Sequence, residues 1–90
     1  MNRVLKHQIK AERYFYLDLV GKRLYDLRQQ QRKSLKAVSK ATGIAPKTIC
    51  KIEEGRTDPK VDALLTLCHY YQTTLSYIFR HRELVIDELP

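Results

Sequence analysis

The stretch SLKAVSKATGIAPKTICKIEEG, running from Ser34 to Gly55, decides the fold. Ser34 is a helix-start signal, because its hydroxyl can accept a hydrogen bond from a free amide of the first turn. Leu35, Val38 and Ser39 then share one face, which predicts a short helix over Leu35–Ala41. Thr42-Gly43 ends it, since Gly43 reaches positive φ without a Cβ clash. Only Gly43, Ile44 and Ala45 precede the next start. Pro46 suits a first helical position, where a missing N–H costs nothing. Ile49 and Ile52 form the apolar stripe of a helix over Pro46–Glu54, and Gly55 stops it. Two short helices joined by so tight a turn cannot run antiparallel with a long contact, so they cross steeply.

Outward from this stretch the pattern stays helical. Val20, Leu24, Leu27 and Arg28 recur on one face and predict a helix over about Leu17–Gln31. Arg56-Thr57-Asp58-Pro59-Lys60 is a loop, with Pro59 barring helix through it. Val61, Leu64, Leu65, Leu67 and Cys68 predict a strongly apolar helix to about Tyr71. Thr74 caps a last short helix carrying Leu75, Ile78 and Phe79. The expected core spans residues 17–79 of a single domain, 1–90. The ends are open. Val4, Leu5, Ile9 and Ala11 hint at a helix before Arg13, Tyr14-Phe15-Tyr16 could equally be extended, and Leu84-Val85-Ile86 is an apolar, β-prone triplet.

Composition agrees with a small all-α domain. The chain has 90 residues, 43% hydrophobic and 30% charged, too apolar for a disordered segment and too short for a core plus an enzyme cleft. Its formal net charge is +7, unevenly spread: net +4 over residues 1–31, net +5 over 32–60 and net −2 over 61–90. A positive front and a near-neutral back suit a protein that docks on a polyanion with one face.

Cys50 and Cys68 fall in helical patterns and read as small, largely buried, reduced residues. His7, Cys68-His69 and His81 lack zinc-finger spacing, so neither a metal site nor a cofactor is expected. No apolar run has signal-peptide or membrane-span length. A cytoplasmic protein is the expectation. No acid pair, nucleophile or metal motif clusters, so an enzyme is not expected.

The pattern as a whole resembles the Cro and phage-repressor (Xre-type) helix-turn-helix family of transcription regulators. The resemblance rests on Leu24-x-x-Leu27-Arg28, then Ser34-Leu35-x-x-Val38-Ser39-x-x-Thr42-Gly43-Ile44. It continues in Thr48-Ile49-x-x-Ile52-Glu53-x-Gly55-Arg56, Pro59-x-Val61-x-x-Leu64 and Leu75-x-x-Ile78-Phe79. It covers about Leu17–Phe79 and implies a five-helix phage-repressor-like domain that binds double-stranded DNA. On this likeness Pro46, Lys47, Thr48 and Lys51 occupy the groove-facing side of the reading helix. Lys47 and Lys51 are four apart, opposite Ile49 and Ile52, which the residues themselves support. A groove lysine favours guanine, whose O6 and N7 both accept, so a partly G·C-rich half-site is expected. Ser34, Lys36, Arg56 and Lys60 are the expected phosphate contacts. Arg28 and Glu53 match a pair that tends to bridge the first helix to the reading helix.

One module contacts few base pairs, so a homodimer on an inverted repeat is expected. Tyr70, Tyr71, Tyr77, Leu84–Ile86 and Tyr14–Tyr16 are the candidates for its interface. The alternative is an antitoxin or another module whose main partner is a protein. Four positions depart from the family pattern. Leu35 stands where a polar DNA contact is frequent. Ala45 stands where a capping Ser or Thr is frequent, Ser39 where Ala is, and Lys33 where an apolar residue is.

Overall fold

The computed structural model describes residues 3–80. Five helices follow in order: α1 (Arg3–Gln30), α2 (Leu35–Thr42), α3 (Pro46–Glu53), α4 (Val61–Tyr71) and α5 (Leu75–Phe79), with no strand among the described residues. The fold is all-α. Every helix contributes to one core, built from Val20 and Leu24 of α1, Val38 of α2, Ile49 and Ile52 of α3, Leu64, Leu67, Cys68 and Tyr71 of α4, and Ile78 of α5. Burying each such aliphatic side chain stabilises by about 1.5–3 kcal/mol, which holds together helices too short to persist alone.

The helix boundaries follow local chemistry. Ser34 caps α2, its hydroxyl accepting from the Ala37 amide at 3.0 Å. Thr74 caps α5 in the same way, from the Tyr77 amide at 3.1 Å. At the end of α3, the Gly55 amide donates to the Ile52 carbonyl and the Arg56 amide to the Lys51 carbonyl. That double closure requires the left-handed φ of +70° at Gly55. The same closure ends α1 at Arg32 (φ 54°) and α4 at Gln72 (φ 58°), where no glycine marks it.

The structure changes or sharpens several expectations. The segment before Leu17 is neither a separate helix nor extended. It continues α1 without a break, so Tyr14-Phe15-Tyr16 is helical. No proline or glycine interrupts residues 3–20, and a helix nucleated by its buried half propagates cheaply into such a segment. On α4, Val61 and Leu65 lie on the surface, 66% and 50% exposed, because the core side of that helix is filled by Leu64, Leu67, Cys68 and Tyr71. Cys50 is only half-buried, although Cys68 is buried. The Leu84–Ile86 triplet lies outside the described residues.

Tyr71, an expected interface residue, belongs to the core instead, at 3% exposure. Its ring meets Tyr70 edge-on at 5.1 Å. Its hydroxyl is buried and finds no hydrogen-bond partner among the described residues. Burial, reinforced by the nearby Glu53 carboxylate, pushes its pKa from 10.0 up to about 12. The folded state therefore keeps this proton to higher pH than the unfolded chain does. The stability tied to it is fully present below pH 10 and is lost as pH rises from 10 towards 12. Tyr71→Phe is expected to be neutral or stabilising at pH 7, since it removes an unsatisfied buried hydroxyl. It should also lose less stability than the wild type between neutral pH and pH 11 or so, as read by urea titrations across that range.

Candidate nucleic-acid interface

The candidate interface is built on α3, and what holds α3 is α1. Gly21 sits mid-helix in α1, where glycine costs about 1 kcal/mol against alanine. A Cβ there would collide with the backbone carbonyl oxygens of Ile52 and Glu53, which lie directly against the glycine. Just before it, Asp18 packs on Gly55, where a Cβ would strike its carboxylate. The backbone of α1 thus touches the C-terminal turn of α3 with no side chain between them.

The second link is electrostatic. Arg28 Nε donates to Glu53 Oε2 at 2.7 Å and Nη2 donates to Oε1 at 3.0 Å, a two-pronged pair. The third guanidinium nitrogen, Nη1, donates to the Lys33 carbonyl at 3.0 Å. One side chain therefore joins α1, α3 and the α1–α2 turn. The side chains are only 11% and 6% exposed. The hydrogen bond to Glu53, against the opposing effect of burial, raises the Arg28 pKa further above its already high value. The guanidinium also lies 5.5 Å from the Tyr25 ring centroid.

Held this way, α3 buries Ile49 and Ile52 and exposes Pro46, Lys47, Thr48 and Lys51. Ala45 offers no side-chain cap, so α3 begins with Pro46 alone as its start signal. Ser34, Lys36, Arg56 and Lys60 are all exposed around it. Of these, Arg56 is not a free cation, since its Nη1 pairs with Glu54 Oε2 at 3.0 Å.

Glu54 is a residue that sequence reasoning missed. It lies three residues after Lys51 and seven after Lys47, on the same outward face. Its carboxylate accepts from the Cys50 thiol at 3.0 Å and from Arg56. Those two donors, the thiol first, hold its pKa below the usual carboxylate range. The same hydrogen bond raises the Cys50 pKa, keeping the thiol protonated. The exposed face of α3 is therefore basic at its start and carries a fixed negative charge at its end.

Two further contacts had little signal in the sequence. Arg23 Nη1 donates to the carbonyls of Tyr77 (2.7 Å) and Ile78 (3.2 Å), pinning the end of α5 to α1. Gln31 Nε2 donates to the Tyr71 carbonyl at 3.0 Å. Gly21 did carry a signal, an isolated glycine within a regular helical pattern.

A family model for the helix-turn-helix matches residues 24–78. The chain belongs to the Xre/Cro-like helix-turn-helix family. Membership makes it a DNA-binding regulator of transcription. Among solved structures it is similar to the clp gene regulator ClgR from Corynebacterium glutamicum, with a TM-score of 0.66 and 19% identity over 70% of this chain and 67% of that one. At that identity the likeness concerns the fold. No curated protein matches the sequence significantly. In helix-turn-helix terms α2 and α3 are the motif, and no helix among the described residues is long and apolar enough to cross a membrane.

The backbone contact at Gly21 yields a sharp expectation. In a free helix Gly21→Ala would gain about 1 kcal/mol of helix propensity. Here the added methyl meets backbone, which yields poorly, and overpacking costs about 1–3 kcal/mol or more. The net result should be a lower melting temperature. DNA affinity should also fall under conditions where the variant is still folded, because α3 is pushed off α1. The ion pair gives a second expectation. Glu53→Ala strands a guanidinium out of water and should cost about 3–5 kcal/mol, measured by urea unfolding.

Proposed function

We propose that the helix-turn-helix chain binds operator DNA as a homodimer, with α3 of each copy lying in the major groove. The observation that carries this reading is the two-sided character of α3. Ile49 and Ile52 are buried against the brace from α1, while Lys47 and Lys51 stand exposed one turn apart with Pro46 and Thr48 beside them. An α-helix fits the major groove, and its first residues come closest to the base edges.

Each position has a distinct task in this reading. Lys47 and Lys51 donate to guanine O6 and N7, and Thr48 contacts a neighbouring base or phosphate. Ser34 and the free amides of α2 meet a phosphate at the positive helix end. Lys36 and Lys60 anchor the flanks, and Arg56 joins them on release from Glu54. The Glu54 carboxylate repels phosphate, which favours entry of α3 by its basic N-terminus. Leu35, half-buried at the start of α2, adds no polar contact. Two copies on an inverted repeat, with half-sites about one helical turn apart, supply the specificity one module lacks. Exposed apolar residues suited to that pairing are Tyr14, Val61, Leu65 and Tyr77. Occupancy of the operator would then set transcription of the gene beside it.

Selection of bound sequences from a random DNA pool tests the reading directly. The expected product is an inverted repeat with guanine in each half. An asymmetric or guanine-free consensus would overturn the reading. Lys47→Ala should relax preference at one base pair, worth about 1–3 kcal/mol of discrimination. Lys60→Ala should instead weaken binding equally on every sequence and lower the salt slope by about one unit, as read by titrations at several ionic strengths.

A further inference from the structure

The N-terminal half of α1 lies before the residues matched by the helix-turn-helix family model. Its phase is informative. Lys6, Lys10, Arg13, Leu17, Val20, Leu24 and Arg28 follow one another at steps of three or four residues, so they form one stripe along α1. From Leu17 onward that stripe is the one that faces the core and the brace to α3. Before Leu17 it is entirely basic and exposed. The stripe thus changes from apolar to cationic at the point where α1 leaves the body of the protein.

The direction of the stripe follows from its contacts. Moving towards the N-terminus, α1 touches α3 at Gly21, the end of α3 at Asp18 and Gly55, and the following loop where Arg13 pairs with Asp58 at 3.1 Å. Of the stripe itself, Arg28 reaches Glu53 of α3 and Arg13 reaches Asp58 of the loop after it, while Gly21 and Asp18 lie beside the stripe. Lys10 and Lys6 continue this line for another ~10 Å beyond Arg13, at 1.5 Å of rise per residue. They lie about one and two helical turns beyond the ion pair that Arg13 makes with the loop after α3. Neither lysine forms an ion pair with a described residue. Lys10 only leans on Tyr14, its Nζ lying 6.0 Å from the ring centroid.

We propose that this overhang is a second DNA-contacting element, with Lys6 and Lys10 meeting the phosphate backbone of the duplex outside the segment read by α3. The proposal rests on the placement of α3 in the groove. DNA then lies on the far side of α3 and its loop from α1, which is the side the basic stripe faces. Charge decides the occupant. A second copy packed on this stripe would bury lysines in a helix–helix seam, which costs stability. A polyanion gains from the same two charges by releasing counterions.

The test compares salt dependence for three full-length proteins: wild type, Lys6→Gln/Lys10→Gln, and Lys47→Gln/Lys51→Gln. Each is titrated against a mixed-sequence duplex of about 40 base pairs and one cut to about 12, roughly a single helical turn. On the long duplex the Lys6/Lys10 variant should show a salt slope smaller by about two units. Wild type should therefore lose ~10-fold more affinity than the variant between about 50 and 200 mM salt. On the short duplex, which ends before the overhang, the two should match. Equal slopes on the long duplex would overturn the proposal, and so would an equal loss on both lengths. Circular dichroism on both variants checks that α1 stays helical. The Lys47/Lys51 variant reports separately on the reading by α3. If it binds both lengths like wild type, that reading fails, whatever the overhang does.

Discussion

A guanidinium and a carboxylate, both nearly out of water, hold α3 against α1. Isolated, such a pair gains little, because the desolvation of two charges offsets most of their attraction. Two features tip the balance here. The geometry is two-pronged, and the third guanidinium nitrogen of Arg28 donates to the Lys33 carbonyl. Beside the pair, Gly21 lets two backbones meet, which fixes the spacing between the helices while the charges fix their rotation. Hydrophobic burial of Ile49 and Ile52 attaches α3 to the protein but would tolerate some rolling. The pair and the backbone contact remove that freedom, so the lysines keep one direction.

Most of the fold was legible because helix limits are written in local chemistry. Ser34, Thr74, Pro46 and Gly55 act through atoms within a turn of themselves, and each acts where the pattern placed it. Periodicity likewise found Val20, Leu24, Val38, Ile49, Ile52 and Ile78. It found α4 but did not assign its inward face, because that helix is apolar nearly all round. Val61, Leu65 and Tyr71 look alike in sequence, and only packing decides that Tyr71 goes in and the other two stay out. It failed before Leu17 because an overhanging stretch has no core to imprint an apolar stripe. The end of α4 is a third case, since Gln72 takes a left-handed conformation that sequence gives no reason to expect.

At the candidate interface the legible part was the exposed basic stripe of α3, which follows from helical phase alone. The contact between Arg28 and Glu53 spans 25 positions, and spacing within a helix says nothing about such a partner. Only the family resemblance suggested it. Glu54 escaped notice for the opposite reason. An acidic residue next to Glu53 reads as ordinary surface until the Cys50 thiol and Arg56 are seen to converge on it.

The brace and the exposed face of α3 share no side chain. Arg28, Glu53 and Gly21 lie behind α3, whereas Lys47, Thr48 and Lys51 lie in front. Substitutions in two sets without common partners tend to add in free energy. The front set can therefore change while stability and helix orientation stay as they are. If the exposed side of α3 is the side that reads DNA, as proposed above, new target sequences are then reachable by single replacements, each passing through a folded protein. A change in the rear set has no such freedom, since it shifts every exposed residue of α3 at once.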